Sequence, residues 1–322
     1  MDVEALKAGV LAPLTPGDLV PPPRFTTKRF DTYRTDPAIP GQVEAVTTVR
    51  RFAAHRETFL GKVFGRRGKA GLYLDGGFGV GKTHLLSSCF HAAVGAKRYL
   101  SFAEAMSLMT LLGHREAIKL LRADLVCIDE FELDDPTNTR LADLLVRGLI
   151  EQGARIITTS NTVPGELGQG RMAVDLFRNE LARIEQAFTD VHVPGNDYRL
   201  TVASTGKPRG FGPAAEPLPA GDGVLDTTAA GLDRLLLGIP VVNLRRLAAR
   251  LTGLTLRDLT PFESPHAALR FVHFIDRCYD FQVALRVITD ADPDALFPPE
   301  FCPGSFIKKY RRCRSRLAEL CL

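Results

Sequence analysis

The stretch "YLDGGFGVGKTHLLSSCF", Tyr73 to Phe90, decides the fold of this chain. It joins an apolar, strand-like run to a helix-like run through a segment in which four of six residues are glycine. The spacing fits G-x(4)-G-K-[ST], the pattern of a phosphate-binding loop, with its fixed positions at Gly76, Gly81, Lys82 and Thr83. Because the motif requires a strand before it and a helix after it, we predict a nucleotide site rather than an incidental glycine-rich turn.

Each residue type in this loop has a chemical reason. Backbone N–H groups can curl around a phosphate only where φ is free to become positive and no Cβ intervenes, which glycine allows. The N-terminus of the following helix adds a partial positive charge. Lys82 is predicted to reach the β- and γ-phosphates of ATP, and the Thr83 hydroxyl to ligate Mg²⁺. The predicted nucleotide contacts are Gly76, Gly77, Phe78, Gly79, Val80, Gly81, Lys82, Thr83 and His84.

A second motif, "DLVCIDEFELDD", places acidic residues directly after four apolar ones. An aspartate at the carboxyl end of a parallel strand faces the ligand crevice, so Asp129 is predicted to hold the magnesium ion directly or through water. Glu130 is predicted to act as the general base on the attacking water. The alternative, an acidic N-cap for the next helix, suits Asp134 and Asp135 better.

The third motif is "IITTSN", in which Asn161 follows an apolar run. Its carboxamide is predicted to hydrogen-bond the γ-phosphate or to orient the water between that phosphate and Glu130. Asparagine is also a common turn residue at strand ends, and the local sequence leaves that alternative open. The two preceding motifs favour the functional interpretation.

Strand-like and helix-like segments alternate between residues 42 and 202. This alternation predicts an α/β fold, a doubly wound parallel sheet flanked by helices and of the P-loop NTPase type. The predicted strands cover residues 70–76, 97–102, 124–129, 154–160 and 190–193.

Three further segments complete the predicted organisation. Residues 1–41 are rich in proline and are predicted to form an extended arm with a short helix near its start. Residues 203–223 are rich in proline and glycine and are predicted to be a linker loop without fixed structure. Residues 224–322 are predicted to form a smaller, mainly helical module with a strand or two.

Composition narrows the class of protein. Of 322 residues, 45% are hydrophobic and 24% are charged, which is typical of soluble globular proteins, and the net charge of +4 is too small to indicate nucleic-acid binding. The six cysteines form no CxxC pair, which favours reduced thiols over disulfides or a zinc site. We find no signal peptide and no apolar run long enough for a transmembrane segment, so we predict a cytoplasmic location.

Taken together, "GGFGVGKTHL", "LVCIDEFELDD" and "ITTSN" resemble the motifs of AAA+ ATPases. More narrowly, the chain resembles the ZapE-like cell-division ATPases of bacteria and their mitochondrial relatives, the lactation-elevated proteins. The segments "TDPAIPGQVEAV", "NDYRL", "ALRFVHFIDRCYDFQVAL" and "RRCRSRLAEL" carry this narrower resemblance. The segment 204–240 departs from the family pattern and tryptophan is absent, which puts the family's partner contacts in doubt.

The resemblance implies an Mg-dependent ATPase that forms homo-oligomers, a hexamer being one option, and that acts on a protein partner such as the cell-division machinery. It gives Lys82 and Thr83 the Walker A role, Asp129 and Glu130 the Walker B role, and Asn161 the sensor 1 role. AAA+ enzymes also take an arginine from the neighbouring subunit. Candidates for it are Arg171, Arg178 and Arg183, and Arg270 is a candidate for an arginine that senses nucleotide within its own subunit.

Two other functions stay open at this point. The first is an ATP switch like DnaC and the transposition-helper ATPases, which share "GKTHL" and "TSN" and hold single-stranded DNA beside a helicase. The basic C-terminal cluster, residues 308–316, is compatible with binding to nucleic acid or to an anionic membrane. The second is a module that binds nucleotide without turnover, which the intact acidic motif argues against.

Overall fold

A computed structural model describes residues 3–54, 69–133, 136–162, 177–195, 210–301 and 306–321. The chain divides into two compact units. We call the first the P-loop unit, residues 15–21 and 25–203, and the second the C-terminal unit, residues 1–14, 22–24 and 204–322. The predicted boundary near residue 203 lies outside the described residues.

The P-loop unit is built on a five-stranded parallel sheet. Its strands are β1 Gly71–Asp75, β2 Lys97–Ser101, β3 Leu125–Asp129, β4 Arg155–Thr159 and β5 Phe188–His192. They lie in the order β2-β3-β4-β1-β5. This arrangement confirms the predicted fold class, and the predicted strand ends are within two residues of the observed ones.

Helices cover both faces of this sheet. They are α2 Gln42–Ala54, α3 Lys82–Ala92, α4 Phe102–Leu112, α5 His114–Leu121, α6 Pro136–Glu151 and α7 Arg178–Ala187. Helices α2 and α3 pack on the face that presents Leu72, Leu74 and Cys127. Because side chains alternate along a strand, Tyr73 lies on the opposite face, where its ring contacts those of Phe131 and Phe188.

The predicted N-terminal arm is not one extended segment. It contains helix α1, Val3–Val10, and single 3₁₀ turns at Pro16–Asp18, Pro23–Phe25 and Phe30–Thr32. Its residues are divided between the two units, because residues 1–14 and 22–24 pack with the C-terminal unit. Within the P-loop unit, Leu19 is fully buried and its carbonyl oxygen accepts a 2.8 Å hydrogen bond from the Tyr99 N–H of the outermost strand β2.

The C-terminal unit combines helices with a small parallel sheet. Its strands, β6 Val224–Thr228, β7 Gly253–Arg257 and β8 Ala284–Ile288, lie in that order. Its further helices are α8 Ala229–Leu237, α9 Leu244–Ala249, α10 Pro265–Phe281 and α11 Phe306–Leu320. The module is mainly helical as predicted, but it has three strands where the sequence pattern indicated one or two.

Residues 210–223, the described part of the predicted linker, are attached to the C-terminal unit. Phe211 forms an isolated parallel bridge with Val287 of β8, and the Gly210 N–H donates to the Cys321 carbonyl at 2.8 Å. The Leu218 N–H donates to Thr255 Oγ1 at 3.0 Å. The segment was predicted to be a linker loop without fixed structure, whereas its described part makes these long-range hydrogen bonds.

The basic C-terminal cluster does not form one exposed face. Arg312 and Arg316 of α11 are buried, and both pair with the buried carboxylate of Asp276 on α10, with Arg312 Nη2 2.8 Å from Asp276 Oδ2. Arg314 pairs with Asp294 at the surface. Only part of the cluster is therefore directed toward solvent, which weakens the charge argument for nucleic-acid binding.

The buried pair suggests a stability experiment. Burial alone would raise the pKa of Asp276, but Arg312, Arg316 and Arg277 outweigh burial and hold the pKa well below its ordinary range. This carboxylate therefore stabilises the folded state above the ordinary aspartate pKa of about 3.9, and the contribution is lost as the pH falls through the depressed pKa.

We expect Asp276→Asn to lower the free energy of unfolding of the C-terminal unit by about 3–5 kcal/mol, because it leaves two arginines buried without their carboxylate. The matched control is Asp294→Asn, whose side chain is 72% exposed and whose loss should cost about 1 kcal/mol or less. Urea unfolding followed by hydrogen exchange in β7 measures both. Equal costs for the two variants would show that the buried carboxylate adds no stability.

Candidate active site

The three predicted motifs lie at one edge of the P-loop unit. Strands β1, β3 and β4 are neighbours in a parallel sheet, so their carboxyl ends meet at the same edge. The glycine-rich loop follows β1, Asp129 is the last residue of β3, and Asn161 comes two residues after β4. The structure thus brings together residues that are up to 85 positions apart in sequence, from Gly76 to Asn161.

Three of the four loop glycines adopt a conformation that glycine favours. The φ angles are +139° at Gly76, +69° at Gly79 and +94° at Gly81. A Cβ at Gly76 would also lie 2.4 Å from the carbonyl oxygen of Val193. Gly77 is different, because its φ is outside the left-handed region and a Cβ there would make only ordinary contact. The need for a positive φ, which was the reason predicted for glycine at all four positions, therefore does not apply to Gly77.

The ammonium group of Lys82 connects the first motif to the third. Lys82 is 8% exposed, and its Nζ donates to the carbonyl oxygens of Gly76 at 2.8 Å and Gly77 at 2.5 Å. The same atom donates to Asn161 Oδ1 at 2.9 Å. The positive charge therefore lies at the mouth of the glycine-rich loop, beside the end of β4.

Asp129 is held by three hydroxyl groups. Its Oδ1 accepts from Thr83 at 3.2 Å and from Thr159 at 2.5 Å, and its Oδ2 accepts from Tyr99 at 3.1 Å. Burial and the charge of Glu130 raise the pKa of Asp129, and the three hydroxyl donors oppose that rise. Sequence reasoning missed Tyr99, although its position on a predicted neighbouring strand was an available signal.

The chain turns sharply immediately after Asp129. Glu130 has φ of +57°, which is rare for a residue with a side chain. Its N–H donates to Thr159 Oγ1 at 2.9 Å, and the Phe131 N–H donates to the Thr159 carbonyl at 2.7 Å. Thr159 therefore fixes the backbone at the predicted general base, and such strained backbone is often found at functional sites.

Glu132 lies within the second motif, but the sequence analysis predicted no role for it. Its Oε1 accepts a 3.2 Å hydrogen bond from Nδ2 of Asn161. The acidic character of "DEFEL" was visible in the sequence, but which acidic side chain reaches the end of β4 depends on the turn at Glu130. Asn161 thus lies between the ammonium group of Lys82 and the carboxylate of Glu132.

Residues from the predicted arm support the glycine-rich loop. The Tyr33 hydroxyl donates to the Val80 carbonyl at 2.9 Å, and the ring of Tyr33 packs against Gly81. His84 meets the same ring edge to face, with a centroid distance of 5.3 Å. Its Nε2 lies 2.9 Å from the Arg29 carbonyl oxygen. Burial lowers the pKa of His84, which favours the neutral imidazole.

We expect Gly81→Ala to destabilise the P-loop unit by about 1–3 kcal/mol. The new Cβ would sit at a φ of +94° and only 2.6 Å from the ring of Tyr33. Gly77→Ala is the matched control, because a Cβ there meets Val80 at 3.7 Å. Urea midpoints of the two variants check the prediction. A Gly81→Ala midpoint no lower than that of Gly77→Ala would contradict it.

The four candidate arginines have different environments. Arg183 on α7 makes a bidentate pair with the buried Asp143 at 3.0 and 2.8 Å, and this pairing raises the pKa of Arg183. Arg178 opens the same helix and is exposed. Arg171 lies outside the described residues. In the C-terminal unit, Arg270 pairs with Asp233 at 2.7 Å.

Comparison with known proteins places this geometry in a family. The family model of AFG1-like ATPases matches residues 16–208, well over half of the chain. The chain belongs to the AFG1-like ATPase family. The match includes the glycine-rich loop, the acidic motif and Asn161, so the AFG1-like part of the chain contains all three predicted motifs.

Individual proteins are similar to part of this chain. The cell division protein ZapE of Escherichia coli K12 is 30% identical over 160 residues, which are 44% of this chain and 43% of ZapE. The chain thus spans less than half the length of the curated relatives it matches. Among solved structures, DnaI is 19% identical, with a TM-score of 0.44 over 55% of this chain and 93% of its own. The DnaC helicase loader is 17% identical, with a TM-score of 0.39 over 53% and 99%.

Among the residues that the structure describes, every helix is too short or too polar to span a lipid bilayer. Nor do those residues contain a cluster of three or more histidine, cysteine, aspartate or glutamate side chains placed to hold a metal ion.

Proposed function

We propose that this protein hydrolyses ATP in a magnesium-dependent reaction at the carboxyl edge of the P-loop unit. The observation that carries the proposal is the convergence of Lys82, Asp129 and Asn161, which come from three different motifs. A glycine-rich turn without a function would not be expected to lie beside a buried lysine, an aspartate that accepts hydrogen bonds from hydroxyl groups, and an amide at a strand end. Membership of the AFG1-like ATPase family supports the same activity.

The residues fit a triphosphate and a magnesium ion. Three of the loop glycines have a positive φ, and helix α3 begins at Lys82 directly after them, so that a helix N-terminus adjoins the loop. The Thr83 hydroxyl and the Asp129 carboxylate lie 3.2 Å apart and are hard oxygen ligands of the kind Mg²⁺ prefers. When bound, the ion would neutralise charge on the β- and γ-phosphates.

The chain's own groups then have separate tasks. Lys82 now donates to backbone carbonyl oxygens of its loop, and it can exchange these for phosphate oxygens without leaving the site. Glu130 accepts the proton of the attacking water. Asn161, held beside Lys82, orients that water or the γ-phosphate.

We further propose that the active enzyme is a cytoplasmic homo-oligomer acting on a protein partner of the cell-division machinery. Similarity to ZapE, named as a cell division protein, supports the partner. Arg171 or Arg178 would supply the arginine that reaches a neighbouring subunit, and Arg178 is exposed at the start of α7.

ATP turnover of the purified protein, measured across a concentration series with and without Mg²⁺, tests the proposal. We expect turnover that requires Mg²⁺ and rises more steeply than linearly with protein concentration, because each site needs a neighbour. Single-stranded DNA in a parallel series should not change the rate. Absence of turnover together with tight, salt-sensitive DNA binding would favour the DNA-bound ATP switch instead.

A further inference from the structure

We propose that Glu132 is a positioning residue for hydrolysis: it holds the NH₂ group of Asn161 and so turns the carbonyl oxygen of Asn161 toward Lys82 and the attacking water. This inference rests on the proposed ATPase activity. It adds a residue outside the phosphate-binding loop and outside the Asp129–Glu130 pair. It also specifies which end of the Asn161 carboxamide faces Lys82 and the attacking water.

The orientation of the Asn161 amide follows from its two neighbours. An ammonium group can only donate hydrogen bonds, and an ionised carboxylate can only accept them. Lys82 Nζ lies 2.9 Å from one end of the carboxamide, and Glu132 Oε1 lies 3.2 Å from the other. The end beside Lys82 must therefore be the oxygen, and the end beside Glu132 must be the NH₂ group. If the amide were flipped, its NH₂ group would face the donor Lys82 and its oxygen would face the acceptor Glu132, so neither hydrogen bond could form.

The backbone around Glu132 is fixed on both sides. Phe131 is fully buried, and its ring lies 4.7 Å from that of Phe102. Leu133 is 1% exposed. Glu132, between these two buried neighbours, is only partly buried. The turn at Glu130 places this segment beside the end of β4, where Asn161 begins the next loop.

This geometry has a chemical consequence for Asn161. With its NH₂ group occupied by Glu132, the carboxamide offers the site an acceptor. It can accept a hydrogen bond from Lys82 or from the attacking water, whereas donation to the γ-phosphate would require it to release Glu132. Glu132 thus aligns the water-facing oxygen before the reaction begins, and such prior alignment of polar groups lowers barriers.

Single variants and an exchanged pair test the assignment. Glu132→Ala should lower kcat about tenfold with little change in KM for ATP, as is usual for residues that orient a catalytic group. Glu132→Gln keeps an acceptor oxygen and should lose less. Asn161→Asp alone should lose more than Glu132→Ala, because two carboxylates then face each other. The double variant Asn161→Asp/Glu132→Gln restores a donor opposite an acceptor, and it should recover activity relative to Asn161→Asp.

A loss of kcat in Glu132→Ala without a change in KM, together with recovery in the double variant, distinguishes positioning of Asn161 from a general structural role for Glu132. Glu116→Ala, on the exposed surface of α5, is the control and should leave kcat unchanged. Wild-type kcat in Glu132→Ala, or no recovery in the double variant, would overturn the inference.

A second readout separates this inference from the proposed function. The side-chain NH₂ resonances of Asn161, assigned by their loss in Asn161→Asp, should shift and exchange faster with solvent in Glu132→Ala. If these resonances change in Glu132→Ala but the wild-type protein does not hydrolyse ATP, the ATPase proposal is rejected and the contact between Glu132 and Asn161 still stands. Unchanged resonances would reject the role of Glu132.

Discussion

Replacement of Lys82 by alanine is expected to lower ATP affinity and turnover by at least about 100-fold, since it removes a preorganised charge from the phosphate site. In the structure this ammonium group is 8% exposed and makes hydrogen bonds to the Gly76 and Gly77 carbonyls and to Asn161. Nζ of Lys82 would place its positive charge next to the phosphate oxygens of ATP. Its loss also leaves Asn161 without the donor that faces its oxygen.

Binding of a fluorescent ATP analogue and steady-state turnover measure the two parts of this loss. Lys119→Ala is the matched control, because that lysine is on the surface of α5 and pairs with the exposed Glu116 at 3.5 Å. The control should bind and hydrolyse ATP like the wild type. Undiminished ATP binding by Lys82→Ala would remove the glycine-rich loop from the nucleotide site.

The second large effect is expected for Glu130→Gln, which should lower kcat by about 10²–10⁴ while ATP stays bound. Glutamine keeps the shape of glutamate but cannot accept the proton of the attacking water. Removing the charge of Glu130 also removes one cause of the raised pKa of Asp129, so the Asp129 carboxylate should stay ionised to lower pH. Retained ATP affinity is therefore part of the prediction.

Single-turnover hydrolysis and ATP-analogue binding distinguish this result from a folding defect. Glu116→Gln on α5 is the control for a surface glutamate. Glu132→Gln tells the two acidic positions apart, because it should retain most of the activity that Glu130→Gln loses. Near-normal hydrolysis by Glu130→Gln would assign the base to another group.

The strands and the motif positions could be predicted from sequence because their signals are local. Strands β1, β3 and β4 contain apolar runs, and the residues expected at their carboxyl ends follow those runs directly. Parallel neighbours then bring these ends together without further information. The match of the family model to residues 16–208 agrees with this interpretation.

The missed features depend on contacts between distant parts of the chain. Tyr99 reaches Asp129 from β2, and Glu132 reaches Asn161 because of a left-handed residue at Glu130 that no periodicity encodes. Similarly, the basic cluster of α11 suggested an exposed charged face, but Arg312 is buried and pairs with Asp276. Charge and apolar patterning indicate which residues are polar, whereas the partner of each polar group is decided by packing.

The packing of Tyr33 against the glycine-rich loop has a practical consequence for dissecting this protein. A fragment that starts at Gln42, where the alternating pattern begins, would lack the ring that covers Gly81 and the hydroxyl that binds the Val80 carbonyl. It would also expose His84, whose imidazole rests against that ring. The smallest fragment that keeps these contacts of the P-loop unit therefore has to begin upstream of Arg29, well before helix α2.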